Sequence, residues 1–296
     1  PTRGRDKRGV SPPPAPLRRA ARTGAGVRRR PPWSPVVTTR VVTGIVLGVV
    51  GVVVVAHGGL IFFFVMLALA LLALNEFYRL TRMYRPLPMA GFLGVALMLG
   101  MAWFFSPTAL VGAVAAGVLF TALLGLAAGP KPGVSVRMAV TVLGMLYIGL
   151  GFSAVLLIRP MDENGLILLT VIFGTWAGDT MAYFTGKFFG STPMAPVLSP
   201  KKTWEGFAGG VISTVLLVMF IGLYSPLHPG GSFLLGVTIA VAGPLGDLFE
   251  SLIKRDVQIK DSGRGIPGHG GVLDRFDALI FASVASYFVL ALVLSF

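Results

Sequence analysis

Residues 260–296, KDSGRGIPGHGGVLDRFDALIFASVASYFVLALVLSF, join two kinds of sequence that rarely meet. The second part, residues 276–296, is almost continuously apolar and long enough for one bilayer crossing, which takes about 20 residues as a helix. The first part holds five glycines among Lys260, Asp261, Arg264, His269, Asp274 and Arg275. A membrane span therefore starts directly beneath a charged, glycine-rich loop.

Similar apolar runs recur along the chain. Of its 296 residues 54% are hydrophobic and 12% charged, and the mean hydropathy is +0.81. The runs lack the period-2 alternation of barrel strands, so helices are the expected spanning form. The expectation is an all-α, polytopic integral membrane bundle of about nine transmembrane helices, near 41–56, 59–74, 87–105, 108–128, 138–158, 165–184, 206–224, 233–250 and 276–296. The sequence HGG at 57–59 reads either as a tight turn or as a break in one long bent element. The membrane domain covers 41–296. Residues 1–40, with eleven Lys/Arg, one acidic residue and the run SPPPAP, cannot bury enough apolar area to fold alone and read as a disordered cytoplasmic tail.

The formal net charge is +13. In a membrane chain this reports topology and anionic headgroups, and no nucleic-acid partner is expected. With the tail inside, 24 of the 25 basic residues fall on cytoplasmic segments and only Arg159 falls outside. That asymmetry predicts a cytoplasmic N-terminus, an external C-terminus and an odd number of spans. No cysteine is present, which excludes disulfides, thiolate nucleophiles and Cys-based zinc sites, and the three histidines are scattered.

Acidic residues inside spans are costly and need a partner, a metal or a water-filled cavity. Asp179 in TWAGDTMAYFTG, Asp247 in GPLGDLFES, and Asp274 and Asp277 at the start of the last span all fall near the cytoplasmic end. Asp247 and Glu250 are three apart, as are Asp274 and Asp277, so each pair shares a helix face. Hard oxygen ligands without a Cys or His cluster favour Mg²⁺. Lys201, Lys202, Lys254, Arg255, Lys260, Arg264 and Arg275 supply anion partners, and the glycines of GRGIPGHGG allow backbone amides to approach an anion. No Walker loop is present. Carboxylates for a metal, cations for phosphate and a glycine-rich loop describe a phosphoryl- or nucleotidyl-transfer site. Other features have plainer readings: Gly209 and Gly210 as helix-packing residues, Arg79, Arg82 and Arg85 as a solvated surface facing headgroups, Glu205 as a helix N-terminal acid, His57 and His228 as outer-loop residues.

The stretch SLIKRDVQIKDSGRGIPGHGGVLDRFD, 251–277, resembles the signature of the phosphatidate cytidylyltransferases, the CDP-diacylglycerol synthases. The positions that carry the resemblance are Ser251, Lys254, Arg255, Lys260, Asp261, His269, Gly270, Gly271, Asp274, Arg275 and Asp277. The upstream blocks DTMAYFTGKFFG, LSPKKTWEGFAGG and GDLFESLIKR extend it to a catalytic region at about 170–280. The resemblance implies transfer of a cytidylyl group from CTP to phosphatidic acid, giving CDP-diacylglycerol and pyrophosphate for phospholipid synthesis. It also implies an Mg²⁺ requirement with Asp247 and Asp274 as ligands, a nine-helix homodimer in the plasma membrane, and a site on the cytoplasmic side. The number of ions, and whether a monovalent cation joins them, stays open. Asp247, Asp274, Lys254 and Asp277 are the candidate catalytic residues. Lys201, Lys202, Thr203, Asp179, Ser251, Arg255, Lys260, Asp261, His269, Gly270, Gly271 and Arg275 are candidates for binding substrate. Competing readings are an ion-coupled transporter, disfavoured because the carboxylates gather at one mouth and no internal repeat is evident, and a CTP-dependent lipid kinase.

Overall fold

Inside a bilayer a backbone N–H or C=O must find its partner within the protein, and a helix does this segment by segment. The computed structural model describes residues 35–258 and 271–294. These residues form nine α-helices: α1 (Pro35–His57), α2 (Gly59–Leu80), α3 (Pro88–Phe104), α4 (Pro107–Ala127), α5 (Val134–Ile158), α6 (Leu166–Phe189), α7 (Trp204–Gly222), α8 (Pro229–Asp256) and α9 (Leu273–Leu294). Seven of them, α2 and α4 to α9, are long and apolar enough to cross a membrane; α3 is shorter, and the apolar part of α1 is described only over Gly48–His57. The chain is a multi-pass helical membrane protein. Residues 1–34 of the expected tail lie outside the described residues, and α1 begins at Pro35, inside the stretch read as tail.

The helix starts follow local chemistry. Proline opens α3, α4 and α8, where its missing N–H costs nothing. Ser106 and Thr203 accept the Ala109 and Gly206 N–H groups at 3.1 Å, and His228 Nδ1 accepts from Gly230 at 3.1 Å. His228 is thus the N-cap of α8 rather than a plain loop residue. HGG is a turn. Gly58 has φ +65° and ψ −145°, and a side chain there would meet the Arg159 guanidinium at 2.9 Å. Arg159 is only 8% exposed. Its Nε donates to Val55 O at 2.6 Å and its Nη2 to Ala56 O at 3.0 Å, so it occupies the last carbonyls of α1. The one basic residue assigned to the outer side is a buried helix cap.

α5 is the centre of the bundle. The most apolar window of Val134–Met161 is 78% buried, against 22% for α4, which lies at the periphery. Gly144 packs on Phe77 and Tyr78, Gly149 on Met98, and Gly151 on Ile280, so α2, α3 and α9 all close on α5. α6 and α7 approach through Gly178, Ala182 and Gly186 facing Gly206 and Gly210; a Cβ on Gly206 would stand 2.7 Å from the Ala182 carbonyl oxygen. Gly210 is a packing residue, as expected, and Gly209 lies against the Thr185 side chain.

Two features position the site. Between α6 and α7 the chain makes a small antiparallel hairpin, β1 (Pro193–Ala195) and β2 (Ser199–Thr203), which the helical reading of the sequence omits. α8 has 28 residues, about 42 Å at ~1.5 Å each, against a hydrocarbon layer of about 30 Å. It is therefore longer than one crossing needs, and its last turn carries Lys254 and Arg255.

Candidate active site

The hairpin lays its basic strand over the ends of α6, α8 and α9. Glu205 fixes it in place: the carboxylate accepts Ser191 Oγ at 2.6 Å and Thr192 N at 3.2 Å, while Trp204 N donates to Thr192 O at 3.0 Å. Thr203 ends β2 and caps α7 with the same hydroxyl. The result is a cleft of about 410 Å³ lined by Asp179 of α6, Lys201, Lys202 and Thr203 of β2, Asp247 of α8, and Asp274 and Asp277 of α9.

Ion pairs knit these elements together. Lys202 Nζ lies 2.6 Å from Asp247 Oδ2 and 3.4 Å from the Pro244 carbonyl oxygen. Lys254 Nζ sits between two carboxylates, 2.6 Å from Asp274 Oδ1 and 2.8 Å from Glu250 Oε2. The Glu250 side chain is 2% exposed. A carboxylate so deeply buried is tolerated only with a partner, and Lys254, one turn further along α8, supplies it. Asp274 Oδ2 accepts the Gly271 N–H at 3.0 Å, and Asp277 Oδ1 accepts its own following amide, Ala278 N, at 2.8 Å. Acidic side chains at this helix N-terminus also complement its dipole.

Seven of the residues expected from sequence meet in the cleft, and Lys254 is joined to it through Asp274. Ser251 and Arg255 do not line it. Arg255 is exposed and its Nε reaches the Leu198 carbonyl oxygen in the hairpin turn at 3.4 Å. Arg275 is also exposed and outside the lining, and Gly271 serves Asp274 through its amide. Lys260, Asp261, His269 and Gly270 lie outside the described residues. Among the described residues no three Asp, Glu or His side chains are gathered closely enough to hold an ion as they stand, and Asp247 and Asp274 are each paired with a lysine.

Two carboxylates were not assigned roles from sequence. Glu250 shares a face with Asp247, as expected, but its role as the buried partner of Lys254 emerges only here. Glu76 of α2 is 7% exposed, and its Oε2 accepts the Leu273 N–H at 2.9 Å, closing the first turn of α9 from across the bundle. Its signal was available: it is an acid within an apolar span, in LALNEFYRL, which demands a partner.

The sequence resembles those of known proteins. Phosphatidate cytidylyltransferase of Bacillus subtilis (strain 168) is 44% identical over 156 residues, covering 51% of this chain and 57% of the relative. That of Aquifex aeolicus (strain VF5) is 46% identical over 136 residues, covering 46% and 51%. That of Mycobacterium tuberculosis (strain ATCC 25618 / H37Rv) is 41% identical over 141 residues, covering 46% and 42%. The chain thus spans about half the length of the curated relatives it matches. The sequence model of the cytidylyltransferase family matches residues 38–293, most of the bundle and the whole cleft, and the chain belongs to that family.

Proposed function

We propose that the chain transfers a cytidylyl group from CTP to phosphatidic acid, releasing CDP-diacylglycerol and pyrophosphate. The observation that carries this reading is the cleft itself, in which α8, α9 and the hairpin converge to bring Asp247 and Asp274 together with Lys202 and Lys254. The curated relatives carry the same activity in their names.

The chemistry must bring two polyanions together. A phosphatidate oxygen is already anionic near neutral pH, so little general-base help is required. That oxygen attacks the α-phosphorus of CTP; one P–O bond forms, the bond to the β-phosphate bridge breaks, and pyrophosphate leaves with the electron pair. Lys201 and Lys202, held on β2, lie where they can bind phosphates, and Lys254 is fixed by its two carboxylates so that its charge stays at the cleft wall. Asp277 and Asp179 complete the acidic wall.

Four carboxylates against two lysines line the cleft, a hard-oxygen set with surplus negative charge. A triphosphate enters such a cleft only with a cation, so this donor set fits Mg²⁺, with Asp247 and Asp274 as the ligands we propose. When bound, Mg²⁺ supplies charge neutralisation and polarises phosphate oxygen. With the carboxylate charge neutralised, Lys202, which lines the cleft, would be free to turn to substrate phosphate, while Lys254 stays between Glu250 and Asp274.

The finer topology belongs to the same proposal: nine spans, N-terminus cytoplasmic, cleft facing the cytoplasm in the plasma membrane, and a homodimer. The distribution of 24 of 25 basic residues to one side supports the orientation. The deciding experiment supplies purified protein with phosphatidic acid and CTP labelled at the α-phosphorus or at the γ-phosphorus. Label from the α position in lipid supports cytidylyl transfer; label from the γ position would make the protein a lipid kinase instead.

A further inference from the structure

The connection between α2 and α3 carries Arg79, Arg82 and Arg85, three basic residues at intervals of three. With Asn75, Tyr78, Pro86 and Pro88 they line a recess of about 580 Å³ that shares no residue with the catalytic cleft. No acidic side chain lines it. Among the described residues none of the three arginines takes part in an ion pair.

The recess is built rather than incidental. Tyr78 forms its buried wall and donates to Thr141 O at 2.9 Å, and Leu87 N donates to Thr141 Oγ1 at 2.8 Å. Arg85 adopts φ +52°, a left-handed conformation unfavourable for a residue with a side chain. Arg137 holds it there, its Nε donating to the Arg85 carbonyl oxygen at 2.8 Å. On the other side Tyr84 OH donates to Asp256 Oδ2 at 2.7 Å; that hydrogen bond, with the carboxylate charge, raises the phenol above its ordinary pKa and keeps it a donor. The loop is thus tied to both α5 and the end of α8.

Exposed apolar side chains adjoin the basic ones. Pro88, which lines the recess, opens α3, and Met89, Leu93 and Leu97 follow at intervals of four, 68%, 53% and 37% exposed. Guanidinium forks match phosphate oxygens, and an apolar stripe starting beside the recess suits an acyl chain. We propose that this recess binds the phosphodiester headgroup of an anionic phospholipid, with its acyl chains along α3, as a site separate from the cleft. A free phosphate would have no use for the stripe.

The test uses the full chain in detergent with phosphatidylglycerol, which is not the proposed substrate, or with phosphatidylcholine of the same acyl chains, and counts retained lipid by native mass spectrometry. Wild type is expected to retain phosphatidylglycerol over phosphatidylcholine, and Arg79→Gln/Arg82→Gln to lose that preference by about tenfold or more. Both arginines are exposed, so the variant should melt like wild type. The Arg79→Lys/Arg82→Lys variant, which keeps charge and loses the fork, should lose part of the preference. An unchanged preference in the Gln variant would assign the lipid to diffuse attraction elsewhere on the basic chain and overturn the proposal. Displacement of the lipid by equimolar inorganic phosphate would overturn it as well, by making the site one for free phosphate.

Discussion

Glu76 on α2 and Leu273 at the first turn of α9 are 197 positions apart, and the Glu76 carboxylate accepts the Leu273 amide at 2.9 Å inside the bundle. The next residue along α9 is Asp274. A carboxylate from the N-terminal half thereby sets the start of the helix that presents the proposed metal ligand.

Glu76→Ala removes that acceptor and leaves a buried N–H unpaired. A hydrogen bond to a charged group contributes about 1.5–3 kcal/mol, so the melting temperature should fall and turnover should fall with it. Glu76→Gln keeps an acceptor oxygen and should recover most of the loss. Thermal melts together with assays at saturating substrate check this; equal defects in both variants would show that charge, not the hydrogen bond, is what matters.

Asp247→Asn and Asp274→Asn keep size and delete charge. Turnover should drop by a factor on the order of 10² or more while membrane insertion is retained, because metal and electrostatic stabilisation are large in phosphoryl transfer. Chelator should abolish wild-type activity and excess Mg²⁺ restore it. CDP-diacylglycerol formation titrated against Mg²⁺ is the measurement, and wild-type turnover in well-folded variants would remove these residues from the metal site.

Lys254 was expected from sequence as a catalytic residue and an anion partner; its place between Glu250 and Asp274 adds a structural role. Lys254→Ala leaves the Glu250 carboxylate buried without its partner, at a cost of about 3–5 kcal/mol. Adding Glu250→Gln should restore stability without restoring activity. A double variant that regains both would make the lysine purely structural. A shifted Mg²⁺ dependence in Lys254→Ala is also expected, since the lysine contacts Asp274 directly.

Arg159→Ala should lower the melting temperature, as the Val55 and Ala56 carbonyls lose their donor. The guanidinium lies at the opposite side of the bundle from the cleft in the proposed topology, so activity per folded molecule should stay within a few-fold. Arg159→Lys, without the planar fork, should recover only part of the stability.

The cysteine-free sequence permits a direct topology test. Single cysteines at Pro130 and Pro226, both exposed, should label from the cytoplasmic and external sides respectively. The reverse pattern in intact cells would place the cleft away from CTP.

The helices were legible because a bilayer demands long, continuous apolar runs, and the proline and glycine punctuation between them is local. The carboxylates were legible for the same reason: in an apolar chain, Asp247, Asp274 and Asp277 are conspicuous and demand partners. Which partner each takes was not legible. The hairpin that carries Lys202 to Asp247 is eight residues of strand with no strong alternation, and it forms because Glu205 and Thr203 tie it down. Glu76 with Leu273, and Arg159 with Val55, join residues more than a hundred positions apart. Sequence alone therefore determined that the chain is a multi-pass bundle of apolar helices and which charges require an explanation, since both depend on the transfer cost of individual residues. Only the tertiary structure decided how those charges are paired, because a hydrogen bond or ion pair depends on distances of a few ångströms that helix packing, not chain order, sets.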